Sequence, residues 1–257
     1  MISTKPHEVQ DYGAYTADQL RSGDPYELSR GRCVVCNPTG GDGTGPNGRG
    51  FMALDTDPKV TQAGVDAGFE FGAFTMRAPD VAVGDFAENP GWIRDVPSLA
   101  VEYASVGQNE AALREKIDDL GRAGVRYLWV VRLAGPRRVE VYENGQLTRS
   151  ALPGETLSAP NVLQNPVPVE ALYDRAVAHK VAFQNLLQRE GYRDLDDVRA
   201  EMLAHQFERK LKRPLTAGER ATLQTRVAAL GVARVSDVVL DESPDALTAW
   251  LARSDAR

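Results

Sequence analysis

Three segments decide how this chain folds: RAPDVAVG at residues 77–84, SLAVEYAS at 98–105 and REKIDDLGRAGVRYLWVV at 114–131. The apolar stretches of the first two predict strands, and the third predicts a helix that is followed by another strand. Together they place Asp80 directly after a proline, Glu102 inside an apolar strand and Lys116 on the helix. We interpret this order as two carboxylates and an ammonium that converge at one edge of a sheet.

The predicted strand and helix orient these side chains. In the strand at residues 99–104, alternate side chains point to opposite faces, so Glu102 lies between Ala100 and Ala104 with open space around its carboxylate. The helix is expected to begin after the N-cap Asn109. Lys116 lies about 60° from Leu113 and about 40° from Leu120 around the helix axis. It is therefore expected on the flank of the inward apolar stripe.

These residue types suit a particular chemistry. Fast hydrolysis of a phosphodiester needs a divalent ion, an activated water and a cation near the developing charge. Asp80 and Glu102 supply the oxygen ligands that Mg²⁺ prefers, and the main-chain carbonyl of Tyr103 is a natural third ligand. Lys116 would hold the attacking water or meet the charge of the transition state. Taken singly, each residue is more often structural, but their joint order favours the functional interpretation.

The remaining strands complete the expected core. Strands are predicted at 127–132 and 138–142, and Asn144 with Gly145 predicts a tight hairpin turn. Mixed strands around one central helix indicate an α/β or α+β fold with a mixed sheet. The predicted organisation is a core domain at residues 10–157, a proline-containing linker at 158–169 and an all-helical region at 170–257.

The helical region carries clear end signals. Thr216 and Glu219 predict a capping box, and Ser243 followed by Pro244 predicts a helix start. The run RKLKR at residues 209–213 is a concentrated basic segment. A solvated helix face is the default interpretation of such a run, and a nucleic-acid contact is the alternative.

Two other patterns suggest function but are better explained by structure. The segment GGDGTGPNGRG at residues 40–50 has six glycines in eleven residues and lacks the GK[ST] of a phosphate-binding loop, so it predicts a mobile surface loop. Cys33 and Cys36 have the CxxC spacing of zinc and redox sites. Their segment is predicted as a strand, which would point the two thiols to opposite faces. We interpret them as half-buried strand residues.

The composition of the 257-residue chain is that of a soluble globular protein, with 42% hydrophobic and 26% charged residues. No apolar run approaches the roughly 20 residues that span a bilayer, and the first residues lack the pattern of a signal peptide. A cytoplasmic protein without membrane association is expected. The net charge of −6 argues against a general nucleic-acid coat, but it leaves room for a DNA-cutting enzyme with a locally basic cleft.

The motifs resemble those of a known family. The Asp–Glu–Lys order is similar to the PD-(D/E)xK restriction-endonuclease-like superfamily, and more narrowly to its Uma-two branch. Lys116 follows Glu102 by fourteen residues, as in that branch. The matching motifs are YELSRG at 26–31, PDVAV at 79–83, VEYAS at 101–105, AGVRYLWVV at 123–131 and VEVY at 139–142. The resemblance covers about residues 10–157.

The resemblance implies a restriction-endonuclease-like core that cuts DNA with Mg²⁺ or Mn²⁺. It implies that Asp80 and Glu102 are metal ligands and that Lys116 is the catalytic lysine. Glu27 matches the family's early glutamate and would orient water or a second ion, although a salt bridge explains a strand-end glutamate equally well. Val106 and Arg132 depart from the family pattern, and the glycine-rich segment stands where the family has a histidine-bearing helix. These departures concern substrate binding.

Two hypotheses follow. The first is a Mg²⁺-dependent endonuclease acting on DNA, with Asp80 and Glu102 as metal ligands and Lys116 as the activating or stabilising cation. The alternative is an interaction module with the same fold and weak or no catalysis, whose helical region binds a protein partner or dimerises. Many enzymes of this kind act as homodimers, but no dimer surface is evident in the sequence.

Overall fold

The computed structural model describes residues 14–36, 41–87, 89–107 and 109–253. The chain forms two units, Met1–Phe183 and Gln184–Arg257, and the boundary lies within one helix. In the first unit the strands are β1 Tyr26–Ser29, β2 Arg32–Val35, β3 Gln62–Val65, β4 Phe69–Glu70, β5 Met76–Arg77, β6 Val81–Gly84, β7 Leu99–Ala104, β8 Tyr127–Arg132, β9 Arg138–Glu143, β10 Gln146–Ala151, β11 Thr156–Leu157 and β12 Val167–Pro168. The first unit also contains the helices α1 Gly41–Asp55 and α2 Glu110–Ala123 and the 3₁₀ turns Ala17–Gln19 and Val169–Leu172. Helix α3 Arg175–Arg189 contains the boundary, and the second unit contains α4 Leu195–Leu211, α5 Ala217–Leu230, α6 Val232–Asp241 and α7 Pro244–Ala252.

A six-stranded mixed sheet forms the centre of the first unit, in the order β10-β9-β8-β7-β6-β3. β7 and β8 are parallel and are joined by α2, whereas the other neighbours are antiparallel. A parallel pair needs such a crossover connection, and a helix commonly supplies it. The predicted mixed α/β core is therefore confirmed.

The two faces of β7 pack as the alternation predicts. Val101 and Tyr103 join the large core beneath α1, together with Trp129 of β8. Ala100 and Ala104 face α2 on the other side, in a core that includes Leu113, Ile117 and Leu120 from the apolar stripe of α2. The face that carries Glu102 is thus the face covered by α2.

Local signals set both ends of α2. The Asn109 side chain accepts hydrogen bonds from the backbone N–H groups of Ala111 and Ala112, as expected of an N-cap. Gly124 ends the helix at φ 98°, a left-handed conformation that costs little without a side chain. The turn at Asn144 and Gly145 also has positive φ at both residues, as a type I′ hairpin requires.

The glycine-rich segment is the clearest correction to the sequence interpretation. The sequence predicts a mobile surface loop here, but residues 41–50 form the greater part of α1. Glycine disfavours a helix by about 1 kcal/mol per residue relative to alanine, so packing must offset this cost. Ala53 and Leu54 of α1 are fully buried in the main core, and Gly50 brings the helix backbone against Tyr103.

Gly50 has no room for a side chain. A Cβ atom at this position would overlap the Tyr103 hydroxyl, which is held in place because it donates a 2.9 Å hydrogen bond to the Leu172 carbonyl. We expect Gly50→Ala to lower the free energy of unfolding by about 2–4 kcal/mol, through overpacking and loss of this hydrogen bond. Urea denaturation measures the change.

Gly48 provides the matched control, because a Cβ atom there has nothing within 4 Å. Gly48→Ala should be neutral or stabilising by up to about 1 kcal/mol. In a Tyr103→Phe background, which lacks the obstructing oxygen, Gly50→Ala should cost clearly less. Equal costs for the two glycine substitutions would contradict a close approach at Gly50.

Residues 158–169 differ from the linker that their prolines suggest. Ala159, Leu163, Val167 and Val169 are buried in the main core of the first unit. β12 pairs with β11, and a 3₁₀ turn follows at Val169–Leu172. The segment folds as part of this unit because apolar residues alternate with the prolines and bury against the sheet.

A smaller antiparallel sheet has the strand order β2-β1-β5-β4, and the two cysteines lie in β2 and directly after it. Cys33 lies on β2 and packs partly buried against a core of Ala17, Leu28 and Met76. Cys36 follows the end of β2 and is exposed. The two thiols are free. The prediction of a half-buried strand residue fits Cys33, but it is wrong for Cys36, which is exposed and lies outside the strand.

The second unit is helical, and its predicted capping signals are confirmed at Thr216, Glu219 and Ser243. Two cations of the RKLKR run have structural partners. Lys210 donates to the Val239 and Leu240 carbonyls at the end of α6, and Arg213 binds the Glu219 carboxylate through two hydrogen bonds. This use of the cations favours the default interpretation of the basic run. Among the described residues, no helix is both long and apolar enough to cross a membrane.

Candidate functional site

The antiparallel pairing of β6 and β7 brings the two predicted carboxylates together. Val81 pairs with Val101, so Asp80, which immediately precedes β6, lies beside the following part of β7. The Asp80 Oδ2 atom accepts a 2.6 Å hydrogen bond from the backbone N–H of Tyr103. This bond anchors Asp80 one residue from Glu102 along the strand.

Lys116 reaches the same point from α2. Its Nζ atom lies 2.9 Å from Glu102 Oε1 and 3.0 Å from Glu27 Oε1. It also donates a 2.7 Å hydrogen bond to the Ala78 carbonyl, two residues before Asp80. The sequence predicts Lys116 on the flank of the apolar stripe of α2, and from this position its ammonium contacts Glu27 and Glu102.

Glu27 extends from β1 of the smaller sheet and joins the site through both carboxylate oxygens. Oε1 faces Lys116, and Oε2 accepts a 3.0 Å hydrogen bond from the Arg77 guanidinium. Glu27 therefore forms the salt bridge that its position at a strand end suggested, and one of its two partners is the candidate catalytic lysine. Four separate chain segments contribute Glu27, Asp80, Glu102 and Lys116.

Arg77 and Asp119 are the members of this cluster that the sequence interpretation missed. Arg77 donates to Asp119 Oδ2 through Nε at 2.9 Å and through Nη2 at 2.6 Å. Both residues stand inside the segments that decide the fold, and Asp119 follows Lys116 by three positions on α2, which places the two on one side of the helix. Nothing local marks them as buried, because their partners come from distant parts of the chain.

Burial and neighbouring charge set the protonation of the site. Desolvation raises the pKa of Glu102 to about 8; the negative charges of Asp80 and Glu27 add to the rise, and Lys116 opposes it. Burial also raises the pKa of Asp80. The pKa of Glu27 is lowered, because Lys116 and Arg77 together outweigh its desolvation. Near neutral pH, Glu102 is therefore largely protonated and Glu27 is ionised.

Lys116 stays charged. Burial alone would lower the pKa of its ammonium, but the carboxylates of Glu102, Glu27 and Asp80 raise it above its ordinary value. A lysine with a raised pKa holds its proton throughout the physiological range. The ammonium is therefore suited to donate hydrogen bonds and to offset negative charge.

A cavity of about 1060 Å³ opens over the cluster. Its described wall includes all the predicted site residues, Glu27, Asp80, Glu102, Tyr103 and Lys116. The residues that the sequence hypothesis selected thus line the same cavity. That space is large enough to admit part of a substrate.

The acidic residues suit a hard divalent cation. Glu102 Oε1 is buried and lies 2.9 Å from Lys116 Nζ. In the parts of the chain that the structure describes, no cluster of three or more Asp, Glu, His or Cys side chains could hold a metal ion. The predicted ligands Asp80, Glu102 and the Tyr103 carbonyl would give an ion only two carboxylates, and Mg²⁺ commonly keeps several waters beside one or two protein carboxylates.

Comparison with solved structures supports the fold. The chain resembles a putative nuclease belonging to DUF820 from Anabaena variabilis ATCC 29413, whose crystal structure was determined at 1.96 Å resolution. The TM-score is 0.53 and the identity is 18%, over 63% of this chain and 98% of that one. At this identity the likeness establishes the fold alone.

Comparison of the sequence itself identifies the family. No curated protein matches the chain. The profile of one family, Uma2, described as "Putative restriction endonuclease", matches residues 9–170. The match covers more than half of the 257 residues and contains every residue of the candidate site. The chain therefore belongs to the Uma2 family of restriction-endonuclease-like proteins.

Proposed function

We propose that this protein is a metal-dependent endonuclease that hydrolyses phosphodiester bonds in DNA. The observation that carries the proposal is the convergence of Glu27, Asp80, Glu102 and Lys116 on one cavity wall, with Lys116 Nζ 2.9 Å from Glu102. The chain belongs to a family that is described as "Putative restriction endonuclease", and this description supports DNA as the substrate.

Asp80 and Glu102, with the Tyr103 carbonyl, would hold Mg²⁺ or Mn²⁺. When bound, the ion offsets negative charge on the phosphoryl group and lowers the pKa of a coordinated water. Glu102 must give up its proton to act as a ligand, since its pKa is raised to about 8. Metal affinity should accordingly increase as the pH rises towards that value.

Lys116 would donate a hydrogen bond to the attacking water or to the oxygen on which charge develops. The carboxylates around Lys116 raise the pKa of its ammonium, which favours the role of a hydrogen-bond donor over that of a general base. Glu27 would then act on the reaction by fixing this ammonium, with which it forms a 3.0 Å ion pair.

The charge of the cavity is consistent with a need for bound cations. The described wall carries five carboxylates, and its cations Arg77 and Lys116 are both in contact with carboxylates. A phosphodiester entering such a space meets net negative charge, which opposes binding. A divalent ion at Asp80 and Glu102 would reverse the sign of the field at the point of reaction.

A plasmid assay tests the proposal. Purified protein is incubated with supercoiled plasmid and Mg²⁺ or Mn²⁺, with EDTA in a parallel sample. We expect metal-dependent nicking, and a loss of at least about 100-fold in Glu102→Gln, because the ligand contributes several kcal/mol of transition-state stabilisation. Glu143→Gln, at an exposed position at the end of β9, is the matched control and should cleave like the parent.

Calorimetry with Mn²⁺ separates the ways in which the proposal could fail. Absence of both cleavage and Mn²⁺ binding would reject the enzyme and favour the interaction module. Mn²⁺ binding that is lost in Glu102→Gln, without cleavage of any DNA, would support the metal site and reject DNA as the substrate.

A further inference from the structure

A line of alternating charges runs from α2 through the smaller sheet to the candidate catalytic lysine. It consists of Asp119, Arg77, Glu27 and Lys116, in that order, and Lys116 also contacts Glu102. Arg77 is only 1% exposed and Asp119 only 4%. Buried charges are expensive unless they are paired, so a row of four paired charges inside the protein calls for an explanation other than solubility.

Arg77 is held in one orientation by its two acidic partners. Its Nε and Nη2 atoms bind Asp119 Oδ2 at 2.9 and 2.6 Å, which leaves Nη1 aimed at Glu27 Oε2 at 3.0 Å. The Ser29 hydroxyl lies 2.7 Å from the same Asp119 oxygen and helps to fix it. A planar guanidinium anchored on one edge can move little at the other.

Glu27 transmits this anchorage to Lys116. One carboxylate oxygen is bound by Arg77 and the other contacts the Lys116 ammonium. The ammonium has only three N–H donors, and its contacts are Glu27, Glu102 and the Ala78 carbonyl. The place of Nζ therefore depends on where Glu27 is held.

We infer that Arg77 and Asp119 are positioning residues that set the location of the Lys116 ammonium by acting through Glu27. This inference rests on the proposed function for its catalytic consequence. Lysine has a long stem with many rotamers, and a displacement of 1 Å at a reacting centre can reduce a rate by about 100-fold. Neither Arg77 Nε nor the Asp119 carboxylate needs to touch the substrate for this effect.

Asp119→Asn is the sharpest test, because it removes the charge that anchors Arg77 and barely changes the volume. Asp119 is not among the described residues that line the cavity. We expect kcat for metal-dependent nicking to fall about 10- to 100-fold, as for other outer partners of catalytic groups, with KM for the plasmid unchanged. Asp118→Asn, the same change one residue earlier on an exposed part of α2, should alter neither value.

A second measurement does not depend on activity. The buried ammonium of Lys116 gives a ¹H–¹⁵N signal that is identified by its loss in Lys116→Met. Asp119→Asn should move this signal by more than Asp118→Asn does, because Arg77 loses its anchor and no longer holds Glu27 in one place. Arg77→Lys serves as a second variant, since it keeps the charge but lacks the fork that binds two carboxylates at once.

The outcomes are distinct. An unchanged Lys116 signal in folded Asp119→Asn and Arg77→Lys overturns the inference, whether or not the parent protein cleaves DNA. A lower melting temperature with unchanged signal and kcat also overturns it and leaves a purely structural network. A displaced signal in a protein whose parent does not cleave would support the positioning network and reject the proposed function.

Discussion

Lys116→Met should reduce the kcat of metal-dependent cleavage by about 100- to 1,000-fold, the usual cost of removing a donor that stabilises developing charge. Methionine retains most of the apolar stem but carries no charge. The ammonium that it replaces lies 2.9 Å from Glu102 and 3.0 Å from Glu27, at the centre of the candidate site. The loss should appear in kcat, since Lys116 is proposed to act on the transition state.

The fold should survive this substitution. Glu27 would still be paired with Arg77, and Glu102, with a pKa raised to about 8, is largely uncharged near neutral pH. Circular dichroism and urea denaturation establish that the variant is folded, and calorimetry should show that Mn²⁺ still binds.

Lys59→Met, at an exposed position of the same unit, is the control for removing one positive charge. It should leave cleavage unchanged. If Lys116→Met cleaves as fast as the parent, the role proposed for Lys116 is wrong.

Arg77→Met should lower the free energy of unfolding by about 3–5 kcal/mol, the range observed when one partner of a buried ion pair is removed. The substitution would leave Glu27 and Asp119 without the cation that joins β1, β5 and α2. Denaturation in urea near pH 7 measures the effect. Arg94→Met is the control, because the Arg94 side chain is 82% exposed and its ion pair with Glu70 should contribute no more than about 1 kcal/mol.

The cost of Arg77→Met should depend on pH. In the folded parent, Arg77 and other nearby cations lower the pKa values of Glu27 and Asp119 below their ordinary values of 4.5 and 3.8. The ionised carboxylates therefore stabilise the folded parent fully at pH values above 4.5. This stabilisation is lost as the pH falls through their lowered pKa values. The difference between parent and variant should shrink as the pH falls below about 4. A difference that is under about 1 kcal/mol at pH 7 would contradict the network.

Combining the two substitutions checks the connection between residues. Arg77→Met and Asp119→Asn act on one ion pair, so the double variant should lose less stability than the sum of the single variants. Additive losses would indicate that Arg77 and Asp119 do not interact in solution.

The sequence by itself determined the strand that carries Glu102, the helix that carries Lys116, and the fourteen-residue spacing between them. These features depend on local physics. Alternation sets the two faces of β7, Asn109 and Gly124 set the ends of α2, and helical periodicity sets the flank on which Lys116 lies. Asp80 was selected by its place after a proline in the same order of residues, whereas Glu27 was selected by resemblance to a family, which adds information that local patterns lack.

Only the tertiary structure decided the helical state of the glycine-rich segment, the burial of residues 158–169 and the partners of Glu27. Local propensity disfavours a helix with many glycines, and α1 forms because Gly50 packs against Tyr103 and its last turn enters the core. Arg77 and Asp119 are charged residues that sequence patterns assign to the surface. They are buried because each finds an opposite charge 42 to 50 positions away in the chain, and the energy of such pairing exists only once the strands and helix have been brought together.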